Sequence, residues 1–313
     1  MKKIVYKSYG SPDVLQVVEV PIPEPGKNQV LVKVIAAGVN PIDYKNRNGS
    51  MKMIAPGKFP RTPGAEISGI VEKTGHGAQK FNPGDNVYAM LSMAGGGYSQ
   101  YIVLKENLLC NMPHNIGFSE AAAAPLAGLT ALQSLRDKGK IKKGMNVLVN
   151  GASGGVGMFG VQIAKAYECT VTAVCSGKNI SFVESLGADH SIDYKEEDFT
   201  QTQEKYDIVF DAVATSTPRK CSRIIKPGGT FVTTLPGPSV MLRQITNPVR
   251  PRKTYGILTQ PNGDDLKILA GLIEKNKFKI YLDQVYNIDE APKAHQYIET
   301  RRVRGKLVIK MVQ

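Results

Sequence analysis

Hydrophobic and polar positions alternate over short stretches until about residue 107, and then the period changes. Gln29-Val30-Leu31-Val32-Lys33-Val34-Ile35, residues 67–72 and residues 98–104 each suit a strand rich in β-branched and aromatic side chains. Pro23-Glu24-Pro25-Gly26, Gly75-His76-Gly77 and Asn82-Pro83-Gly84-Asp85 punctuate them as turns. Short strands joined in this way predict a small, mostly antiparallel, barrel-like unit.

From residue 119 the chain becomes Ala- and Leu-rich, and Ser119 stands where it could cap a helix running to residue 138. Strand–helix alternation follows. Val147-Leu148-Val149-Asn150 predicts a buried strand, and Val156, Gly160, Ile163, Ala164 and Tyr167 fall close to one face of a helix. Strands are predicted over 170–175, 191–194, 206–211, 230–235 and 254–259, with helices over 179–186 and 218–225. Repeated βαβ units of this kind build a doubly wound parallel sheet with helices on both faces. Helices over 264–275 and 289–300 and strands over 284–288 and 305–311 complete the reading.

Composition narrows the class. With 313 residues, 42% hydrophobic and 21% charged, the chain can bury two cores, which excludes disorder, collagen and coiled coil. The longest apolar candidate, 121–135, is interrupted by Pro125, Thr130, Gln133 and Ser134, so no membrane span is expected. The N-terminus is basic but lacks the apolar region of a secretory signal. Cys110, Cys169, Cys175 and Cys221 form neither a disulfide framework nor a metal-ligand spacing, which points to a reducing cytoplasm, although a processed organellar protein would look the same. The net charge of +13 would suit an acidic partner, but the basic residues are scattered apart from Arg301-Arg302-Val303-Arg304. A nucleic-acid footprint should be a patch or stripe, so that partner is disfavoured.

The sharpest local signal is Val147-Leu148-Val149-Asn150-Gly151-Ala152-Ser153-Gly154-Gly155-Val156-Gly157. A buried strand enters a glycine-rich turn and then a helix start, where backbone N–H groups and the helix dipole favour a pyrophosphate. Ala152, Ser153, Gly154, Gly155, Val156 and Gly157 are the expected dinucleotide contacts, with Ala152 replacing the first glycine of the usual pattern. NAD binders carry an acid about 20 residues later for the ribose hydroxyls. Here the run is Val174-Cys175-Ser176-Gly177-Lys178-Asn179. Ser176 and Lys178 instead suit a 2′-phosphate, which selects NADPH.

Ala36-Ala37-Gly38-Val39-Asn40-Pro41-Ile42-Asp43, Pro63-Gly64-Ala65-Glu66-Ile67-Ser68-Gly69-Ile70-Val71, Pro83-Gly84-Asp85-Asn86-Val87, Pro125-Leu126-Ala127-Gly128-Leu129-Thr130-Ala131, Lys226-Pro227-Gly228-Gly229 and Gly305-Lys306-Leu307-Val308 occur in order. Together with the loop at 151–157 they resemble the medium-chain dehydrogenase/reductase superfamily, in its zinc-independent quinone oxidoreductase branch, over essentially the whole chain. The resemblance implies a GroES-like, mostly-β barrel domain over 1–118 and 265–313, and a Rossmann domain over 119–264. Zinc-dependent members carry ligands in the neighbourhoods held here by Asn40, Ala65 and Leu126, so no metal is expected. His76, His114, His190 and His295 show no ligand spacing and are expected on the surface or in loops.

The resemblance further implies catalytic positions at Asn40, Asp43 and Tyr44, at the bottom of a cleft. It implies cofactor contacts from Thr130, from Tyr194 beside the 2′-phosphate, and from Arg304 and Lys306. Asn40 and Asp43 also suit plain turn and helix-cap roles, and Tyr44 a core role. Without a Lewis acid, oxygen that gains charge must be stabilised by hydrogen bonds, which favours acceptors that delocalise charge. The expected activity is therefore hydride transfer from NADPH to a quinone or an α,β-unsaturated carbonyl, with Tyr44 or water giving the proton. The alternatives are an enoyl-thioester reductase, with Arg243, Arg250 and Arg252 as a basic rim, and a non-enzymatic NADPH sensor or nucleic-acid binder. The resemblance also implies a homodimer, with 254–259 as a candidate edge strand.

Overall fold

The computed structural model describes residues 1–53, 56–234, 236–275 and 278–312. Among them, 1–126, 260–275 and 280–313 form one compact unit, and 127–259 with 276–279 form another. The first unit begins with the antiparallel pair β1 (Lys2–Val5) and β2 (Gln16–Glu19). Strand β3 (Gln29–Val39) then runs into helix α1 (Pro41–Arg47). Asn40 is in the extended region, Pro41 pre-sets the first helical residue, and the Asp43 carboxylate accepts the Asn40 N–H at 2.8 Å. These are ordinary helix-start devices. Strands β4 (Glu66–Thr74), β5 (Asn86–Met90), β6 (Tyr101–Lys105) and β7 (Leu109–Asn111) and helix α2 (Phe118–Ala122) follow.

The single helix expected over 119–138 is instead three pieces: α2, then α3 (Pro125–Leu132), then a π-helical stretch over Gln133–Lys138. Pro125 has no N–H to continue the first helix, so it starts the second. Ser119 is not the cap: Gly117 is, and its N–H is accepted by the Glu120 carboxylate at 2.7 Å.

In the second unit, β8 (Asn146–Asn150), α4 (Gly155–Ala166), β9 (Thr170–Cys175), α5 (Ile180–Ser185), β10 (His190–Asp193) and β11 (Tyr206–Asp211) follow the expected alternation. The helix expected over 218–225 is only a short 3₁₀ turn, Lys220–Arg223, and Ile225 already opens β12 (Ile225–Thr233). Thr215 and Ser216 donate their N–H groups to the Asp211 carboxylate at 3.3 and 2.9 Å, which holds the preceding segment as a loop. Leu235, at the end of the expected strand 230–235, lies outside the described residues. Helix α6 (Pro238–Ile245) was not anticipated, and β13 is Lys253–Gly256, shorter than the expected 254–259.

The six parallel strands lie in the order β10-β9-β8-β11-β12-β13. Numbered within the unit this is 3-2-1-4-5-6, with the order reversing beside β8, where such sheets bind dinucleotides. Val147, Leu148 and Val149 are fully buried, as a central parallel strand covered on both faces requires.

The chain returns to the first unit with α7 (Gly263–Glu274), β14 (Leu282–Asn287), α8 (Ala291–Glu299) and β15 (Lys306–Lys310). The sheet there runs β14-β15-β3-β4-β5-β7, with β6 also on β3, and is antiparallel except at β14–β15. Its core combines Val32 and Val39 of β3, Ile67 of β4, Leu307 and Ile309 of β15 and Ile298 of α8. Contrary to expectation, His295 is neither in a loop nor at the surface. It lies fully buried on α8, edge-on to Tyr98 with ring centroids 5.8 Å apart. Burial, aided by the Arg47 charge, pulls its pKa down to about 3, so the ring is neutral and acts as core filler.

Candidate active site and dinucleotide cradle

In the first unit, Asn40 at the end of β3, Glu66 at the start of β4 and Lys306 at the start of β15 converge. The Lys306 ammonium donates to Asn40 Oδ1 and Glu66 Oε1, both at 2.5 Å, and Asn40 Nδ2 donates to Glu66 Oε1 at 2.8 Å. Glu66 Oε2 accepts the Leu126 N–H at 2.7 Å. All three side chains are at least 97% buried by residue exposures of 2% (Asn40), 0% (Glu66) and 3% (Lys306). Gly38 makes room for this ion pair, since a Cβ there would stand 2.1 Å from Glu66 Oε1.

The sequence reading assigned Lys306 to the cofactor and gave Glu66 no role. In the structure the Lys306 ammonium bonds Asn40 and Glu66 inside the first unit. Glu66 was quoted in a motif, but its partners lie 26 and 240 residues away, a separation that local pattern does not reveal. Asp43 is likewise occupied: its two carboxylate oxygens accept the N–H groups of Asn40 and Gly64, at 2.8 and 3.0 Å. Burial nevertheless raises its pKa to about 7, with the Glu66 charge adding to the shift. Tyr44 belongs to the apolar core and is 8% exposed. The Arg304 guanidinium stacks over the Tyr281 ring at 4.7 Å and also bonds the Tyr281 hydroxyl.

The residues present do not fit a catalytic zinc. No group of three or more His, Cys, Asp or Glu among the described residues could hold a metal ion. The Glu66 carboxylate beside Asn40 is neutralised by a buried ammonium rather than left for a cation.

In the second unit, β8 enters the glycine turn at Gly151, whose φ of 78° is left-handed. The N–H groups of Gly151 and Ala152 both reach Val174 O at 3.0 Å and tie the turn to the end of β9. Gly154 caps α4 in extended geometry without a side-chain hydrogen bond, so the first helical N–H groups have no side-chain cap. A Cβ on Gly157 would lie 2.1 Å from Gly151 O and 2.7 Å from Ala152 Cα, so only glycine lets the helix start this close to the turn. A helix start with no side-chain cap and a positive dipole end fits a pyrophosphate.

Ser176 follows β9, and Lys178 lies exposed in the turn Gly177–Asn179. Tyr194 donates its N–H to Cys175 O at 3.1 Å and keeps 56% of its side-chain-bearing surface exposed beside them. Thr130 pairs with Thr259, hydroxyl to hydroxyl, at 2.8 Å. Two features escaped the sequence. Asn179 Nδ2 donates to Ser153 Oγ at 3.0 Å and Ser176 Oγ at 3.3 Å. Asn150 Nδ2 donates to Asp211 Oδ1 and Thr215 Oγ1, both at 2.9 Å, at the point where the strand order reverses. Burial raises the Asp211 pKa.

Residues 26–114 match the alcohol dehydrogenase GroES-like domain, and residues 186–309 match the family described as zinc-binding dehydrogenase. A chloroplast envelope quinone oxidoreductase homolog of Arabidopsis thaliana is 34% identical over 99% of this chain and 98% of its own length. The NADPH-dependent alkenal/one oxidoreductase of the same plant is 36% identical over 99% of this chain and 79% of its own length. The solved quinone oxidoreductase of Coxiella burnetii superposes with a TM-score of 0.90 at 34% identity, over 100% of this chain and 99% of the other. The chain is therefore a member of the medium-chain dehydrogenase/reductase superfamily, in the quinone oxidoreductase branch, built from a GroES-like unit and a Rossmann unit that takes a nicotinamide cofactor.

Proposed function

We propose that this protein is an NADPH-dependent reductase of quinones or α,β-unsaturated carbonyls. The observation that carries the reading is the end of β9: Ser176 and Lys178 stand where an NAD-selecting acid would, and Tyr194 is tied alongside. These groups donate hydrogen bonds and supply positive charge, as a 2′-phosphate requires. Relatives named quinone oxidoreductase and NADPH-dependent alkenal/one oxidoreductase support it.

The cofactor, when bound, supplies a hydride. The chain's own residues bind and orient. Lys306 and Glu66 hold the Asn40 amide from both ends, so that it cannot rotate. An amide nitrogen carries two hydrogens, and Glu66 takes one. The second is the donor we assign to the acceptor oxygen as charge develops there. We assign Asp43 to positioning the Asn40 backbone, and the proton to water, since Tyr44 packs in the apolar core. Two arginines of the basic rim invoked for a thioester groove also make local bonds: Arg250 Nε donates to Thr246 Oγ1 and Arg252 Nε to Ile225 O, each at 2.7 Å.

We further propose a homodimer through the edge strand β13, which among the described residues is paired only with β12. Next to it Met241, Leu242, Ile245 and Leu258 are 55, 65, 77 and 60% exposed. Exposed apolar surface of this kind marks association sites. A reducing compartment, the cytoplasm first, suits the free cysteines Cys110, Cys169, Cys175 and Cys221. No helix of the described residues is long and apolar enough to cross a membrane.

The test follows reduced-cofactor absorbance with NADPH and NADH against one quinone, one enone, one enoyl thioester and one simple aldehyde. NADPH oxidation with quinone or enone, and none with aldehyde, is expected. Preference for NADH, or turnover of the aldehyde alone, would overturn the reading.

A further inference from the structure

We infer that Asn179 is a specificity-determining positioning residue: a single amide that sets the polarity of two serine hydroxyls, one in the glycine turn and one beside the 2′-phosphate position. The inference rests on the NADPH reading above. Its basis is geometric. Asn179 Nδ2 has two hydrogens, and its two recorded acceptors are Ser153 Oγ at 3.0 Å and Ser176 Oγ at 3.3 Å. The Asn179 backbone N–H also donates to Ser176 O at 2.8 Å, which anchors the amide within the turn Gly177–Asn179.

A hydroxyl has one hydrogen to donate and two lone pairs to accept with. When an amide N–H occupies a lone pair on each serine, each hydroxyl hydrogen is turned away from Asn179 and left to donate outward. Phosphates accept and never donate when ionised, so both serines are held in the polarity an anion needs. Ser153 lies in the turn before α4, where both NADH and NADPH place their pyrophosphate; Ser176 follows β9, where only NADPH carries an additional phosphate. Asn179 thereby joins the part of the cradle common to both cofactors with the part that discriminates between them. Ser176 is only 7% exposed, so bulk water is poorly placed to substitute for the amide.

The experiment measures dissociation constants of NADPH, NADH, 2′,5′-ADP and 5′-AMP, by quenching or calorimetry, for the whole protein and for Asn179→Ala, Asn179→Asp and Ser176→Ala. Asn179→Ala is expected to weaken NADH by about threefold, through Ser153 alone, and NADPH by about tenfold or more, through both serines. Asn179→Asp should be worse for NADPH than Asn179→Ala, because a carboxylate accepts both hydroxyl hydrogens and repels phosphate. Adding Ser176→Ala to Asn179→Ala should cost NADPH less than Ser176→Ala costs alone. A merely structural role would weaken all four ligands by one common factor, and that result, or additivity of the two substitutions, would overturn the inference. Should the unaltered protein bind NADPH no better than NADH, the NADPH reading falls. The Asn179 inference is then decided by NADH alone: loss of affinity in Asn179→Ala upholds the Ser153 half, and no change removes it.

Discussion

The two units solve the placement of polar groups in opposite ways. The cradle of the second unit is made of backbone: a left-handed Gly151, a helix start without a side-chain cap, and hydroxyls at its margin. The network of the first unit is made of buried side chains that have already found one another, Lys306 on Glu66 and Asn40, and Asp43 on two backbone N–H groups. The first arrangement costs little while empty, because its groups are partly hydrated. The second is tolerable only while complete, since burying an unpaired charge costs several kcal/mol. Substitutions should therefore act on binding in one unit and on stability in the other.

The most damaging expected change is Lys306→Met. It leaves the Glu66 carboxylate buried with its cation gone, and should destabilise the fold by about 3–5 kcal/mol. Adding Glu66→Gln should restore a good part of that, since the orphaned charge is then absent. Urea unfolding of the two variants measures both. A loss below about 1 kcal/mol in Lys306→Met would show that the pair is not closed to water, and the contrast between the units would fail.

The next effect lies in the pH dependence of stability. His295 has a folded pKa of about 3 against an ordinary 6.5, and Asp43 one of about 7 against 3.8. Between pH 4 and 6.5 the unfolded chain binds a proton at His295 that the folded chain does not, and so stability falls as pH falls. Over the same window the folded chain binds a proton at Asp43 that the unfolded chain does not, so stability rises as pH falls. The two slopes, each about 1.4 kcal/mol per pH unit, oppose each other and nearly cancel. His295→Phe removes one of them. The variant should gain about 2 kcal/mol, relative to its own value at pH 6.5, when moved to pH 5.0. Equal stability at the two pH values would mean that Asp43 is ionised in the fold.

Glycine substitutions probe the cradle. Gly157→Ala must push a Cβ into Gly151 O and Ala152 Cα, backbone against backbone, and should cost about 1–3 kcal/mol of stability along with cofactor binding. Gly154→Ala meets nothing nearer than Gly151 O at 3.5 Å, so the fold should tolerate it. A dissociation constant for NADPH raised at least tenfold with an unchanged melting temperature would identify Gly154 as a surface on which the ligand rests. An unchanged constant would move the pyrophosphate elsewhere.

This division explains what the sequence could disclose. Strand, glycine turn and helix start are contiguous, so their geometry is written in eleven consecutive residues, 147–157, and the parallel sheet around them follows from alternation. Asn40 follows β3, Glu66 opens β4 and Lys306 opens β15, and the pairing of β3 with β4 and with β15 brings them together. The family resemblance implied a site at Asn40, but nothing in the residue types signalled that Lys306 would face it. His295 looked like a loop residue because a buried neutral imidazole has the same letter as an exposed charged one. Helix α6 was obscured by Pro236, Gly237 and Pro238, which read as a loop although Pro238 opens a helix. Asn179 was hidden for another reason: it acts on Ser153, 26 residues earlier, across the joint between β8 and β9.

The smallest expected effect, at Lys178, tests the cradle at its most solvated point. Lys178 is exposed in the turn after β9, and an exposed cation paired with a phosphate is worth about 1 kcal/mol or less. Lys178→Ala should weaken NADPH by only a few-fold, leave NADH unchanged, and lose its effect as salt rises above about 0.5 M, where screening is nearly complete at contact distances. Ser176→Ala, at a position 7% exposed, should keep its effect at the same salt, because a buried hydrogen bond is screened far less. If both substitutions respond to salt alike, Ser176 is hydrated in the complex and the discrimination is electrostatic alone. If Lys178→Ala is salt-insensitive and large, the lysine becomes buried when the cofactor binds, and the turn Gly177–Asn179 closes over the phosphate.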